Sequence, residues 1–206
     1  MTDPALEQLC DVANGLFERG YAYGSTGNIS VRVGDEVWIT PTGLPLRGLT
    51  PERLARLRMN GERLDDNAPS KEHPFHTAIY RQRPGARAVV HLHSTYSVAL
   101  SCLESFNGDE SLPPLTPYYF MRVAPLAVVP YFRPGSPALA EAVERAAAAH
   151  QSILLRNHGL ICAGRTLAEA ADRAEELEQT ARLHFILRGE STRPLSPPDV
   201  QELLKP

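Results

Sequence analysis

Segments with helical spacing and segments with strand-like alternation follow one another along the whole chain, and this mixture limits the fold to a sheet covered by helices. Leu6, Leu9, Val12, Ala13, Leu16 and Phe17 recur at three- and four-residue intervals, which predicts a helix from Pro4 to Arg19 with Gly20 as its stop. Ile29, Val31 and Val33 then alternate with polar residues, and Gly34-Asp35 turns the chain into Val37 to Thr40, the pattern of a β-hairpin. Thr50-Pro51-Glu52 opens a short helical turn, with proline at a tolerated first-turn position. Glu72 to Gln82 reads as a helix ended before Pro84-Gly85, Ala86 to Leu92 as a strand, and Ser94 as the cap of the helix that follows.

The rest of the chain keeps the same rhythm. Ser105 to Pro117 reads as a loop, Val123 to Val129 as a strand and Ser136 to His150 as an alanine-rich helix. Ser152 to Leu155 and Leu160 to Ala163 are strands around the bend Asn157-His158-Gly159. Thr166 to Leu187 is a long helix opening on Thr166-x-x-Glu169, a capping-box signal. No repeat, low-complexity tract or linker divides the sequence, and 206 residues fit one domain, so residues 1–206 are expected to form a single unit.

Composition excludes several classes of function. A formal net charge of −3 offers no basic footprint for nucleic acid. No apolar run approaches the length of a membrane span, and the acid-bearing N-terminus reads as a helix instead of a signal peptide. Cys10, Cys102 and Cys162 are far apart, odd in number and without a CxxC pair, which suits unpaired thiols in a reducing, cytoplasmic compartment.

The run AVVHLHS ends a strand on His91 and His93. Residues two apart on a strand share a face, so both imidazoles can point at one place if the strand continues through them. HxH alone fits two half-buried, hydrogen-bonded histidines as readily as two metal ligands. His158, beside Gly159 at another strand end, adds a third imidazole. Three histidines with an open position are the arrangement of a catalytic metal site. Glu72 begins the helix that leads into the HxH strand; its carboxylate would be a fourth ligand, a proton-transfer group, or a first-turn acid favoured by the helix dipole. On the same helix, His73 could line a site, whereas His76 reads as structural. Gly24-Ser25-Thr26-Gly27-Asn28 and Thr40-Pro41-Thr42-Gly43 lack the P-loop pattern, and are either anion-binding nests or ordinary turns.

In this order, GNIS (27–30), ITPTG (39–43), SKE (70–72), RPGARAVVHLHS (83–94) and NHGL (157–160) resemble the class II, zinc-dependent sugar-phosphate aldolase and epimerase family. The matches span most of the chain. The resemblance implies a three-layer α/β/α sandwich around a largely antiparallel central sheet. It implies His91, His93 and His158 as ligands of one Zn2+ per subunit, with Mn2+, Co2+ or Fe2+ as alternatives, and Glu72 as the general acid/base. Asn28, Thr42, Gly43 and Ser70 match phosphate-binding positions, with Ser25 a weaker match. The family usually assembles as a homotetramer with sites between subunits, so Tyr118 or Tyr119 is expected to reach a neighbour's site.

One departure points to a substrate. Where the aldolases typically carry a second serine before the acid, this chain has Lys71. The runs SKEHPFHTAIY and LPPLTPYYFMRV look closer to the branch of that family that decarboxylates 3-oxo-tetronate 4-phosphates. Lys71 or Arg122 would supply the cation for the acid's carboxylate, unless both are ordinary surface cations. A metal on adjacent carbonyl and hydroxyl oxygens stabilises the enediolate left when a C–C bond breaks. The expected activity is therefore decarboxylation to dihydroxyacetone phosphate; the alternative is an aldolase or 4-epimerase acting on a ketose phosphate such as fuculose 1-phosphate or ribulose 5-phosphate. A non-catalytic binding module of the same fold is the third possibility, opposed by the retained histidines and Glu72.

Overall fold

The computed structural model describes residues 3–205 as one seven-stranded sheet with helices on both faces. The first helix, α1 (Pro4–Glu18), is capped by the Asp3 carboxylate accepting from the Ala5 N–H, with Pro4 at a position that needs no donor. The hairpin follows as β1 (Asn28–Val33) and β2 (Glu36–Ile39), and β3 (Ala55–Arg58) extends it after a turn of tight helix at Pro51–Arg53. Next come α2 (His73–Gln82), β4 (Ala88–Leu92) and α3 (Thr95–Ser101). A wide helical turn at Tyr119–Val123 precedes β5 (Leu126–Val129), and α4 (Pro137–Ala147) leads to β6 (Ser152–Leu155) and β7 (Gly159–Gly164). The chain closes with α5 (Leu167–Ile186) and α6 (Pro197–Leu203).

The strand order is β3-β2-β1-β4-β7-β6-β5, and every neighbouring pair is antiparallel except β5–β6. The expected largely antiparallel sheet is thus found. Alternation along β4 sorts the layers: Val90 and Leu92 face one core with α1 and α5, while Val89 faces the other with α2 and α4. His91, two residues from Val89, therefore lies on the α2 face.

Two expectations are corrected, and two elements were not anticipated. Ser94 sits at the N-cap of α3 but does not cap it: its hydroxyl donates to the Tyr21 carbonyl. The buried Glu178 of α5 caps instead, accepting from the Tyr96 and Ser97 N–H groups at 2.9 and 2.7 Å. The strand predicted from Val123 starts only at Leu126, because the segment before it closes as a helical turn. β3 and α6 had no sequence expectation; β3 is a four-residue strand with a mixed arginine–apolar pattern, too short to register. No helix among the described residues is long and apolar enough to cross a membrane.

Candidate metal centre and substrate cavity

The sheet brings the ends of β4 and β7 together, and α2 aims its N-terminus at the same point. His91 pairs across β4 with Asn28 on β1 and Ile161 on β7, so its backbone is fixed from both sides. Gly27 makes this approach possible: a Cβ there would lie 2.9 Å from the His91 carbonyl. Glu72 is the residue before α2 and makes no side-chain cap bond, which leaves its carboxylate free to turn toward the histidines.

Glu72, His91, His93 and His158 each offer a ligand atom, and these four atoms lie within 4.8 Å of one another. The three rings stand nearly perpendicular to each other, with centroids 4.8, 5.0 and 4.7 Å apart. His91 Nδ1 lies 2.8 Å from the Leu160 carbonyl. A carbonyl only accepts, so Nδ1 carries a proton and Nε2 is the nitrogen turned to the site. That Nε2 is 2.9 Å from His93 Nε2 and 3.2 Å from Glu72 Oε2. His158 Nε2 is 3.3 Å from Glu72 Oε1, and neither these two atoms nor His158 Nδ1 has a hydrogen-bond partner.

Buried polar atoms without partners are costly. Here they converge as three imidazole nitrogens and a carboxylate, a donor set that fits a divalent cation held by three histidines. Electrostatics agree. Burial, reinforced by the neighbouring histidines, pushes the His93 pKa down to about 3 and that of His158 down to about 4, so both rings are neutral at pH 7, the form that binds metal. Burial alone would raise the Glu72 carboxyl. Attraction and hydrogen bonding from His91, attraction from His158 and the Asn28 amide outweigh it and hold the group well below the usual carboxylate range.

An open cavity of about 460 Å³ leads to this cluster, in the range of small-molecule sites. Ser25, Asn28, Thr42, Gly43, Ser70 and Lys71 line it together with Glu72, His93 and His158. Two distant turns meet there because the Ser70 N–H donates to the Thr40 carbonyl and the Thr42 N–H to that of Ala68. Asn28 is buried with its carboxamide between His76 and Glu72, so its side chain supports the acid as well as the cavity wall. Tyr23, Pro134 and Asn157 also line the cavity. Pro134 had no sequence signal, since it arrives through the packing of Gly135 on the Lys71 carbonyl.

The structure does not bring the other predicted residues to the cavity of their own chain. Arg122 is exposed, 3.8 Å from Asp172, and lies over the Tyr118 ring. Tyr119 cannot act as the tyrosine offered to a neighbour: it is 3% exposed, packs in the core and donates its hydroxyl to Asp109. Tyr118, 52% exposed, is the one that faces outward. His73 does not line the cavity; its ring packs near Gly61.

A family model described as the Class II Aldolase and Adducin N-terminal domain matches residues 7–185. The chain is similar to a Haemophilus influenzae protein named 3-oxo-tetronate 4-phosphate decarboxylase, at 46% identity over 205 residues and 98% of each chain. It is 38% identical over 184 residues to an L-fuculose phosphate aldolase of Methanococcus maripaludis, covering 89% of this chain and 98% of the other. The crystal structure of YgbL from Escherichia coli superposes with a TM-score of 0.93 at 43% identity, covering 97% of each chain.

Proposed function

The chain belongs to the class II aldolase and adducin N-terminal domain family, and from that premise we propose that it is a carboxy-lyase that converts a 3-oxo-tetronate 4-phosphate into dihydroxyacetone phosphate and carbon dioxide. The observation that carries this reading is the cluster of Glu72 with three histidines at a cavity that Lys71 also lines. The name of the Haemophilus influenzae relative, similar over nearly the full length of both chains, supports the same substrate.

His91, His93 and His158 would hold a divalent cation, taken here as Zn2+ because three imidazoles suit it. A cation held there would supply a Lewis acid for the negative charge that develops on the substrate's oxygens. Ser70, Thr42, Gly43, Asn28 and Ser25 would receive the phosphate, and Lys71 the carboxylate. Glu72, ionised and beside the ligand nitrogens, takes the proton of the 2-hydroxyl. The C1–C2 bond breaks, carbon dioxide departs, and the electron pair left at C2 delocalises onto the C3 oxygen. Glu72 returns its proton to C2, and one proton from solvent restores the hydroxyl.

Residues 1–206 are read as one domain, acting on small phosphorylated sugar acids. A homotetramer with Tyr118 presented to a second copy completes the reading, supported by the outward position of that ring. The three free cysteines support a cytoplasmic setting. Carbon dioxide release from 3-oxo-tetronate 4-phosphates, measured beside aldehyde release from ketose phosphates, tests the proposal. Aldehyde release without carbon dioxide would replace it with the aldolase reading that the Methanococcus maripaludis relative suggests.

A further inference from the structure

Behind Glu72, between β1 and α2, lies a row of buried polar side chains that the reaction above does not use. His76 and Tyr80 share one side of α2 and Glu72, four residues before His76, stands at its N-cap, while Asn28 and Ser30, two apart, share one face of β1. Asn28 is 4% exposed, Ser30 and His76 0% and Tyr80 1%, all within the core. Their contacts form an unbroken series: Tyr80 Oη to the Ser30 carbonyl at 3.0 Å and to Ser30 Oγ at 2.8 Å, and Ser30 Oγ to His76 Nδ1 at 2.8 Å. His76 Nε2 then meets Asn28 Oδ1 at 2.6 Å, and Asn28 Nδ2 meets Glu72 Oε2 at 2.9 Å.

With Glu72 an anion and His76 neutral, one assignment of hydrogens satisfies the contacts from Ser30 to Glu72. Its carboxylate can only accept, so the Asn28 amide N–H points at it and Asn28 Oδ1 must accept from His76. His76 is therefore the Nε2–H tautomer, and its bare Nδ1 accepts from the Ser30 hydroxyl, while the Tyr80 hydroxyl donates to the Ser30 carbonyl. Burial holds His76 neutral, with its pKa down to about 3. From Ser30 onward every donor thus points toward the carboxylate, the arrangement in which successive hydrogen bonds polarise one another. A core of this kind is costlier than an apolar one unless every member is satisfied.

We propose that His76 is a positioning residue for Glu72, acting through Asn28 at the head of a one-directional donor chain anchored by Tyr80 and Ser30. The chain holds Oε2, and leaves Oε1, which has no hydrogen-bond partner, as the oxygen that exchanges protons with substrate. The inference rests on Glu72 being the proton-transfer group of the proposed reaction.

The test uses the zinc-loaded enzyme. Long-range 15N–1H correlation spectra on histidine-labelled protein should show His76 protonated at Nε2 only, and Ser30→Ala should shift that ring's Nδ1 resonance. His76→Phe should lower kcat by about tenfold or more with KM and zinc per chain unchanged, and His76→Gln, which keeps a donor at the Nε2 position, should recover most of it. An Nδ1–H or charged His76 overturns the proposal, as does a His76→Phe enzyme with full kcat or one whose loss follows lost zinc. If His76→Phe does not fold, the wild-type tautomer and His76→Gln decide. Glu72→Gln is measured in parallel: undiminished turnover there removes the role of Glu72 itself, a failure distinct from a wrong tautomer.

Discussion

Gly159 packs so closely on the Leu92 carbonyl that a Cβ built on it would lie 2.3 Å from that oxygen and 3.3 Å from the His93 Cα. This glycine follows His158 in the chain and touches the backbone that joins His91 to His93, so it sets how near the ligand-bearing strand ends can come. Gly159→Ala should force β7 away from β4. The expected cost is about 3 kcal/mol, a fall in Tm on the order of 10 °C, together with reduced metal per chain. Thermal unfolding and elemental analysis of the purified variant check both.

Metal removal should reproduce part of that effect without a mutation. Four converging donors without a cation lose the stabilisation that a ligand confers on the native state alone, about 4 kcal/mol when free metal exceeds its Kd a thousandfold. Dialysis against a chelator should therefore lower Tm and abolish turnover, and added Zn2+ should restore both. His93→Ala should show the low Tm from the start and no response to zinc. A fully active, metal-free His93→Ala enzyme would end the metal reading.

Glu72→Gln separates the metal from the proton. The three imidazoles remain, so the variant should keep its metal, while glutamine can neither take nor return a proton. Turnover should fall by about 10²–10⁴-fold with metal per chain unchanged. Its amide oxygen can still accept from the Asn28 N–H, so the variant should fold as the parent does.

Much of this site was legible in the sequence because its elements carry period signals. His91 and His93 stand two apart at the end of β4, a spacing that lets their rings converge, and His158 sits on a turn that Asn157 and Gly159 announce; Asn157 does adopt a left-handed φ of 54°. What the sequence could not reveal came from long-range packing. Ser94 looked like a cap, yet Glu178, 81 residues from Ser97, takes that work. Tyr118 and Tyr119 are indistinguishable as letters; only the helical turn before β5 decides that Tyr119 points into the core. His76 looked structural, and its link to Glu72 needs the β1–α2 register that no local pattern contains.

The buried thiols make a pH-dependent prediction. Burial raises the Cys162 thiol to about 12, and burial with the nearby Asp11 and Glu52 charges raises Cys10 to about 11, against an ordinary value of 9.0. Below pH 9 both states keep their protons and these groups contribute no pH dependence. Above it the unfolded chain ionises first, so stability should fall as pH climbs from 9 toward 12. At pH 8 a thiol reagent should label the exposed Cys102 quickly, and Cys10 and Cys162 only after denaturant is added.

Lys71 is the cavity residue whose substitution tests which anion is read. It is exposed and lines the cavity, next to Glu72 in the chain. If it binds the carboxylate, Lys71→Gln should raise KM for the 3-oxo-tetronate 4-phosphate by about tenfold, the loss of one charge-assisted hydrogen bond. Dihydroxyacetone phosphate, the product, keeps the phosphate but has no carboxylate. Its inhibition constant should therefore stay within about twofold of the wild-type value in the same variant. Lys71→Arg, which keeps the positive charge, should recover part of the lost KM. Equal weakening of substrate and product would instead assign Lys71 to the phosphate, and would leave the carboxylate without a cation from this chain.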